Sequence, residues 1–589
     1  MHEPFKMVAV NIVFSILLIV GLFIYRYLYP QKKINLFILL LLISLLPLIS
    51  LLRPGDYESG DFNIRIYHII SFFESLKEGN FFPSWAGELN ATYGNPLFIF
   101  NYSLPYYGVS FFHAIGFSFI SSMKIFLGLT LYCSGITMYL WIKKITNNSL
   151  AAFMAGVFYV FSPYHLVDVH FRATLGESAI FALAPLCFYF VSKYLLDKKY
   201  IHLILISACV GLLFLAHPVM AIVFLPIIVL YSLLYNLKNK NYKLFIYICF
   251  SVALGIIASA YTWLGFIIYK PYMFNLPTIH QQLSFLPFSL LFYSPWRYGF
   301  LFQGPHGELS FPMGYAQIIV LIISIYMLFK NKIPRKDSYK YLFWVLVTLF
   351  FIFMMHPFSI VLWERIDRRF SDMLVEMARL PLFISLCLSV VSGYFGLHFL
   401  KTRKGKILIY FLIFVAIMST ILNWGHRKVI PEINDEVLKK GVWKSTYQND
   451  GVAAYFINNK WADANNFWFS QLPSSPIEII EGKGEFRQIF RSSTVHKYLL
   501  NAQAPVIIKE NTLFFPGWKL QSNNNDIKTY PGKRGITYAR LPSGLQYLTF
   551  TYDDFLPYKI VRSIGISLFM IMFIIIFAYY TKLHFLKRK

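Results

Sequence analysis

The sequence predicts a polytopic α-helical membrane protein of about 13 transmembrane helices, followed by a C-terminal extracytoplasmic β-rich domain. Three observations predict it. The 589 residues are 57% hydrophobic and only 14% charged, too apolar to cover a soluble surface. Runs of about 17–25 apolar residues, the length that crosses about 30 Å of hydrocarbon, recur along most of the chain. From about Gly425 to Asp554 they give way to a polar stretch whose segments alternate in character between Pro and Gly, as in Gly535–Leu541 (GITYARL) and Gly544–Tyr552 (GLQYLTFTY).

The net charge of +26 raises the possibility of nucleic acid, but its placement decides otherwise. Basic residues collect in short turns: Lys32 and Lys33; Lys143 and Lys144; Lys193, Lys198 and Lys199; Lys238, Lys240 and Lys243; Lys330, Lys332, Arg335, Lys336 and Lys340; Lys401, Arg403, Lys404 and Lys406; Lys582, Lys587, Arg588 and Lys589. Only Asp197 and Asp337 oppose them, so most of the excess marks cytoplasmic turns by the positive-inside rule. The expected partners are membrane lipids, with no nucleic acid.

That orientation puts the N-terminus outside. The first apolar run, Met7–Tyr29, is too long for a signal peptide and lacks a small-residue cleavage site, so it counts as a span. Spans are expected near 7–29, 34–52, 121–142, 148–163, 178–196, 201–216, 218–236, 243–267, 314–330, 341–356, 379–400, 406–424 and 560–581. Counting Pro96–Phe119 as another would invert every later turn, so this segment reads as an amphipathic or re-entrant piece of the outer face. The expected organisation is a transmembrane domain 1–424 with outer loops 53–120, 162–177, 268–313 and 356–379, a β-sandwich-like outer domain 425–559, and a last helix with a basic cytoplasmic tail, 560–589. Cys133, Cys187, Cys209, Cys249 and Cys387 all fall inside spans and read as packing residues.

Ionisable residues are nearly absent from the middle of the spans, where ion-coupled transporters usually place them; they sit in the outer loops instead. The first loop holds Asp56, Glu58, Asp61, Arg65 and His68. Asp61 and Glu58, spaced i to i+3, share a face if they lie on one helical turn, and a carboxylate beside an aromatic pocket can act as a general base toward a hydroxyl. Asp61 also reads as a cap for a helix from Asn63 to Gly79. The same two acids are the candidates for holding a divalent cation, Mg or Mn, if one is used.

In the second loop, Asp168, His170, Arg172 and Glu177 cluster at a membrane border. Arg172 either grips a phosphate with its planar fork of donors or forms a structural pair with Glu177. Arg297, Arg365, Arg368, Arg369 and Arg379 are further phosphate candidates or interfacial anchors. There is no P-loop, GxGxxG, HExxH or suitably placed GxSxG, so nucleotide hydrolysis, dinucleotide redox chemistry, zinc proteolysis and serine hydrolysis lose their usual support. A sugar donor outside the cytoplasm has to be carried by lipid.

Several stretches carry a resemblance: Asp61 through His68 to Gly79, Trp85 and Tyr93–Tyr107 (YGNPLFIFNYSLPYY); Pro163–Glu177 (PYHLVDVHFRATLGE) with Ala184–Pro185; Ser294–Gly299 (SPWRYG); Phe514–Leu520 (FFPGWKL) and Leu541–Gly544 (LPSG). On these the chain resembles the GT-C superfamily of membrane glycosyltransferases, and more closely the bacterial membrane-protein family labelled 6-pyruvoyl-tetrahydropterin synthase-related. The resemblance implies a GT-C-like helical domain in the bacterial cytoplasmic (inner) membrane. It further implies transfer of a sugar from a polyprenyl-phosphate lipid donor to a glycan, lipid or protein acceptor on the extracytoplasmic side. Asp61 matches the family's catalytic base. Two other readings stay open: a lipid or polysaccharide transporter or flippase, and a non-catalytic envelope assembly protein.

Overall fold

The computed structural model describes residues 3–273, 285, 291, 313–365, 379–425, 428–439, 459–461 and 472–588. Among them, eight helices are long and apolar enough to cross a membrane: Met7–Leu28, Phe119–Thr146, Leu175–Asp197, Pro218–Leu237, Asp337–Met354, Pro381–Phe399, Arg403–Asn423 and Leu556–Leu586. Two more qualify as bent pairs, Ser149–Val160 with Pro163–Arg172 and Tyr242–Ala258 with Ala260–Tyr272. The shorter apolar helices Leu36–Leu52, Ile201–Ala216 and Tyr315–Phe329 fall on the remaining expected spans. Every segment expected to span is thus helical, and the spans differ in length and straightness rather than in position.

Burial sorts them. In Pro381–Phe399 83% of the apolar window is inside the protein, whereas for Met7–Leu28 and Leu556–Leu586 the share is 11%. The first and last helices therefore present nearly bare apolar surface, which only lipid or another apolar partner satisfies. Pro381–Phe399, Phe119–Thr146, Leu175–Asp197 and Ser149–Val160 form the centre, where Trp141 stacks on Phe188 with ring centroids 4.7 Å apart and donates from its indole nitrogen to Ser192 at 3.0 Å.

The segment 162–177, expected as an outer loop, is helical and packed within the protein. A 45° bend before Pro163 starts a new helix, Pro163–Val167, which widens into a π-helical turn, Asp168–Arg172, and all of residues 162–177 are buried. Proline lacks the amide that would continue the preceding ladder, which accounts for the bend. Ala173 then adopts a left-handed conformation (φ 55°) and Leu175–Asp197 begins. The candidate re-entrant piece comprises two short helices, Leu97–Phe100 and Leu104–Ala114, broken at Asn101–Ser103.

The C-terminal region is a β-sandwich. One sheet runs Ile477–Glu481, Val506–Leu513, Ile536–Leu541, Thr529–Pro531; the other runs Gly484–Arg491, Val495–Ala502, Gly544–Tyr552, Trp518–Ser522, Asn525–Ile527, all antiparallel. The period-two pattern does what it predicts: along Val495–Ala502 the buried residues are His496, Tyr498, Leu500 and Ala502, and the last three meet Val506, Ile508 and Leu541 of the opposing sheet in one core. A buried ionic cluster sits within it, with the Glu510 carboxylate accepting from Arg491, His496 and Tyr498.

The first loop is the connector between the two domains. Its indole Trp85 packs among Phe515, Trp518 and Tyr552, and Gly94 (φ 74°) lies so close that a Cβ there would strike the ring. The left-handed run Asn90, Ala91 and Thr92 carries the chain past it. Tyr93 accepts from the Leu513 amide at 2.8 Å, Thr92 accepts from Arg491 at 3.4 Å, and Glu78 takes the Ser493 amide in both carboxylate oxygens at 3.0 and 2.9 Å. Arg562 of the last helix joins in, donating to Asp554 at 2.7 Å and to Ser84 at 3.2 Å.

Candidate functional site

The helix Phe62–Lys77 begins the site. Its first amide is taken by the Ser59 hydroxyl at 3.1 Å, so Ser59 supplies the side-chain cap expected of Asp61. The Asp61 carboxylate is left for another partner: Oδ2 accepts from Arg65 Nε at 3.3 Å and Nη2 at 3.2 Å. About a third of the Asp61 side chain (32%) stays open to solvent. The backbone before it is stitched onto the second loop, where Gly60 donates to the Phe171 carbonyl and Asp61 to the Arg172 carbonyl, both at 2.8 Å.

Glu58 does not share a helical face with Asp61. The helix starts only at Phe62, and Glu58 lies in extended chain, exposed, with its amide donating to the Lys428 carbonyl at 2.9 Å. The reason is local: Asp56–Tyr57 pairs antiparallel with Val429–Ile430, and pairing holds the chain extended up to the Ser59–Gly60 corner. Asp61 Oδ2 is engaged by Arg65 and Glu58 follows a different course, and among the described residues no group of three or more His, Cys, Asp or Glu side chains is placed to hold a metal ion. The donor set does not by itself make a cation site.

Arg65 extends the site inward. Its guanidinium lies over the Tyr102 ring, 5.4 Å from the centroid, and Tyr102 packs on Tyr106 at 5.4 Å. The Tyr106 hydroxyl is 3.1 Å from His68 Nδ1 and accepts from Asn101 at 2.9 Å. His68 is buried, so it supports this tyrosine wall from behind.

The second cluster is denser. Arg172 Nη1 donates to Tyr164 at 2.6 Å, Asp168 at 2.7 Å and Glu177 Oε2 at 3.1 Å, while Nη2 reaches Glu177 Oε1 at 3.2 Å. Tyr164 donates to the same Glu177 at 2.6 Å. Of the two readings of Arg172, the structural pair is the arrangement present: its side chain is 10% exposed and both terminal nitrogens are engaged within the protein. Arg379, named in the sequence only as one spare cation among several, is the more open member. Its Nε lies 3.4 Å from Glu177, its Nη1 is 3.0 Å from His217 Nε2, and its side chain is 27% exposed. Tyr102 stands within electrostatic reach of both Arg65 and Arg379, so it joins the two clusters. Close packing enforces the junction at Gly176, where a Cβ would come within 2.7 Å of the Ala216 carbonyl and 3.0 Å of both His217 and Tyr102.

Asp56 is a residue the sequence argument passes over. It is buried within electrostatic reach of Lys124, and burial pushes its carboxyl up to about 7 against the pull of the Tyr57 amide and that ammonium. Lys124 is held by the carbonyls of Arg53 and Gly55, and the Tyr57 hydroxyl donates to the Val169 carbonyl at 2.7 Å. Nothing local signals the burial, because the strand that covers Asp56 comes from Val429–Ile430, far along the chain. Arg297 and the SPWRYG stretch lie outside the described residues, as do Arg368 and Arg369.

The arrangement therefore offers a partly open carboxylate, Asp61, paired with Arg65, and a second partly open guanidinium, Arg379, linked to them through Tyr102. Such a set can accept a proton and meet a developing anion in the same place. Residues 99–389 match the model of a family described as "6-pyruvoyl-tetrahydropterin synthase related domain; membrane protein". The match contains Asp168, Arg172, Glu177, Arg297 and Arg379 but begins after Glu58, Asp61, Arg65 and His68. An uncharacterized protein of Lactococcus lactis subsp. cremoris (strain MG1363) is 26% identical over 326 residues, which are 53% of this chain and 52% of that one, so the chain spans about half the length of the relative it matches. Among solved structures, the arabinofuranosyltransferase AftD from Mycobacteria aligns over 67% of this chain and 27% of its own, with 12% identity and a TM-score of 0.41. A mutant form of AftD aligns over 65% and 27%, with a TM-score of 0.40. At that level of likeness, the reading of the site rests on its own geometry.

Proposed function

We propose that the chain is a glycosyltransferase of the bacterial cytoplasmic membrane that moves a sugar from a polyprenyl-phosphate-linked donor to an acceptor hydroxyl on the extracytoplasmic side. The observation that supports this most is the placement of Asp61, an open carboxylate fastened to Arg65 and held by backbone bonds against the loop that carries Arg172. In this reading the acceptor hydroxyl attacks the anomeric carbon of the donor. Its proton passes to the free Asp61 oxygen as the new glycosidic bond forms, and the bond from carbon to phosphate oxygen breaks with both electrons leaving on the polyprenyl phosphate. That phosphate is already a good leaving group, so the protein has only to meet its charge. Arg65 and Arg379 are the cations with room to do so, while Arg172 orients Glu177 and through it Arg379.

The basic turns support the orientation, because they lie at the opposite ends of the spans from Asp61. Thirteen crossings, counting the two bent pairs and the three shorter apolar helices with the eight long ones, would satisfy that orientation. A purified Asp61→Asn protein, assayed for transfer from a panel of polyprenyl-phosphate sugars, tests the proposal. Transfer retained by this variant sinks it, and absence of transfer by the unaltered protein across the panel favours a transporter or an assembly protein.

A further inference from the structure

His217 reaches the site from between the helices Ile201–Ala216 and Pro218–Asn239. A proline disfavours the helical conformation in the residue before it, so Pro218 holds His217 extended, at φ −163° and ψ 97°, and the first helix ends there. The imidazole fits against Gly176, where a Cβ would come within 3.0 Å of its Cδ2, and its ring centroid lies 5.8 Å from that of Tyr102. Packing therefore sets the direction of the ring, which is buried.

Two donors reach this ring. Arg379 Nη1 is 3.0 Å from Nε2, and the Met220 amide is 3.4 Å from Nδ1. A neutral imidazole has one acceptor nitrogen, so it serves only one of them. The guanidinium keeps its protons at any working pH, and its contact is the shorter. The Nε2 lone pair thus belongs to Arg379 and the ring hydrogen to Nδ1, which makes the Met220 contact a close approach and not a helix cap. Burial and the Arg379 charge hold the imidazole down at about 3, so it stays the neutral acceptor that this pairing needs. On its other side Arg379 Nε lies 3.4 Å from Glu177, longer than a well-made charged hydrogen bond. Of these two groups, the imidazole fixes the direction of the fork and the carboxylate supplies counter-charge.

We propose that His217 is a positioning residue: through Nε2 it aims the Arg379 guanidinium at the phosphate of the lipid-borne donor, and it moves no proton itself. The identity of that phosphate rests on the transferase reading. Glu177 alone would draw the guanidinium in toward the buried acids that Arg172 already pairs. The imidazole acts against this pull and, being neutral, leaves the charge it directs available to an anion.

The test uses the purified full chain in detergent, undecaprenyl phosphate as the probe, and native mass spectrometry to count the lipid retained. Glutamine can place its amide oxygen near the position of Nε2, whereas asparagine can place its own near Nδ1, where it would cap the Met220 amide. His217→Ala should weaken retention about tenfold and His217→Gln should restore it to within about threefold, whereas His217→Asn should not restore it. In a transfer assay His217→Ala should raise KM for the lipid donor by the same factor and change kcat by less than about threefold. The inference is overturned if His217→Asn restores retention and His217→Gln does not, if His217→Ala retains the lipid as the unaltered protein does, or if kcat falls while KM holds. A His217→Gln protein that melts normally yet retains no more lipid than His217→Ala overturns it as well. Asp61→Asn should retain the lipid while losing transfer. An unaltered protein that retains undecaprenyl phosphate but transfers no sugar therefore sinks the transferase reading and leaves the role of His217 measurable by retention, whereas one that retains none overturns this inference.

Discussion

The amide of Asp61 donates to the carbonyl of Arg172 at 2.8 Å, so the two segments meet through their main chains while their side chains face different partners. Asp61 looks outward with Arg65; Arg172 looks inward to Tyr164, Asp168 and Glu177. Backbone bonds place the carboxylate whatever its side chain is. Asp61→Asn should therefore fold normally and lose transfer by at least about 100-fold, the usual weight of a general base. Glu58→Gln should lose less than about threefold, a change of under roughly 0.7 kcal/mol in the barrier. Initial rates with a polyprenyl-phosphate sugar, beside a melting curve for each variant, check both.

Arg172 and Arg379 should fail differently. Removing Arg172 leaves Asp168 and Glu177 buried without their main counter-ion, and Arg172→Ala should destabilise the protein by about 3–5 kcal/mol. Arg379→Ala leaves Glu177 paired with Arg172, so its melting temperature should change little while KM for the lipid donor rises about tenfold, roughly 1.4 kcal/mol. If Arg172→Ala melts normally and only KM moves, the assignment of the two arginines is reversed.

The buried Asp56 should appear in the pH dependence of stability. Its folded value of about 7 lies above the ordinary 3.8, so between these values the native state holds a proton that the unfolded chain has released. Stability from this group therefore grows as the pH falls through that window and is lost as the pH rises through 7, by at most about 4 kcal/mol. Asp56→Asn removes the term: the difference in stability between the variant and the unaltered protein should widen in the variant's favour from pH 5 to pH 8. A difference that is flat with pH contradicts the burial of Asp56 as a proton-holding carboxyl.

Arg491 should couple the sandwich to the first loop. It donates to Glu510, Asn511, Thr512 and the Thr92 carbonyl. Arg491→Ala should cost about 3–5 kcal/mol, because it strands Glu510, whose carboxyl this arginine and His496 hold down at about 2 despite its burial. Hydrogen exchange should quicken in residues 90–95 as well as in the strand Val506–Leu513, whereas exchange confined to the sandwich would deny the coupling.

How much of this was legible in the chain depends on distance. The helices were legible because length and hydropathy are local, and each expected span falls on a helix. The strands of the sandwich were legible for the same reason, alternation being a neighbour-to-neighbour property. The pairing of Glu58 with Asp61 failed because helical spacing was assumed where Val429–Ile430 holds the chain extended and Ser59 delays the first turn. The burial of segment 162–177 was not legible, because its charges neutralise one another through Arg172, a set of side-chain contacts that no local pattern reports. The openness of Arg379 depends on contacts with Glu177 and His217, residues distant in the chain, and no spacing rule reports such contacts.

The helix Phe62–Lys77 has Asp61 before its first turn and Glu78 just past its last, and Glu78 grips the Ser493 amide of the sandwich. Sixteen residues of α-helix make a stiff rod about 24 Å long. A tilt of the sandwich by a few degrees swings the far end of that rod through an ångström or more. In the proposed transferase the carboxylate at that end would move with the sandwich, which gives that domain mechanical leverage over Asp61 without any part of it touching the carboxylate.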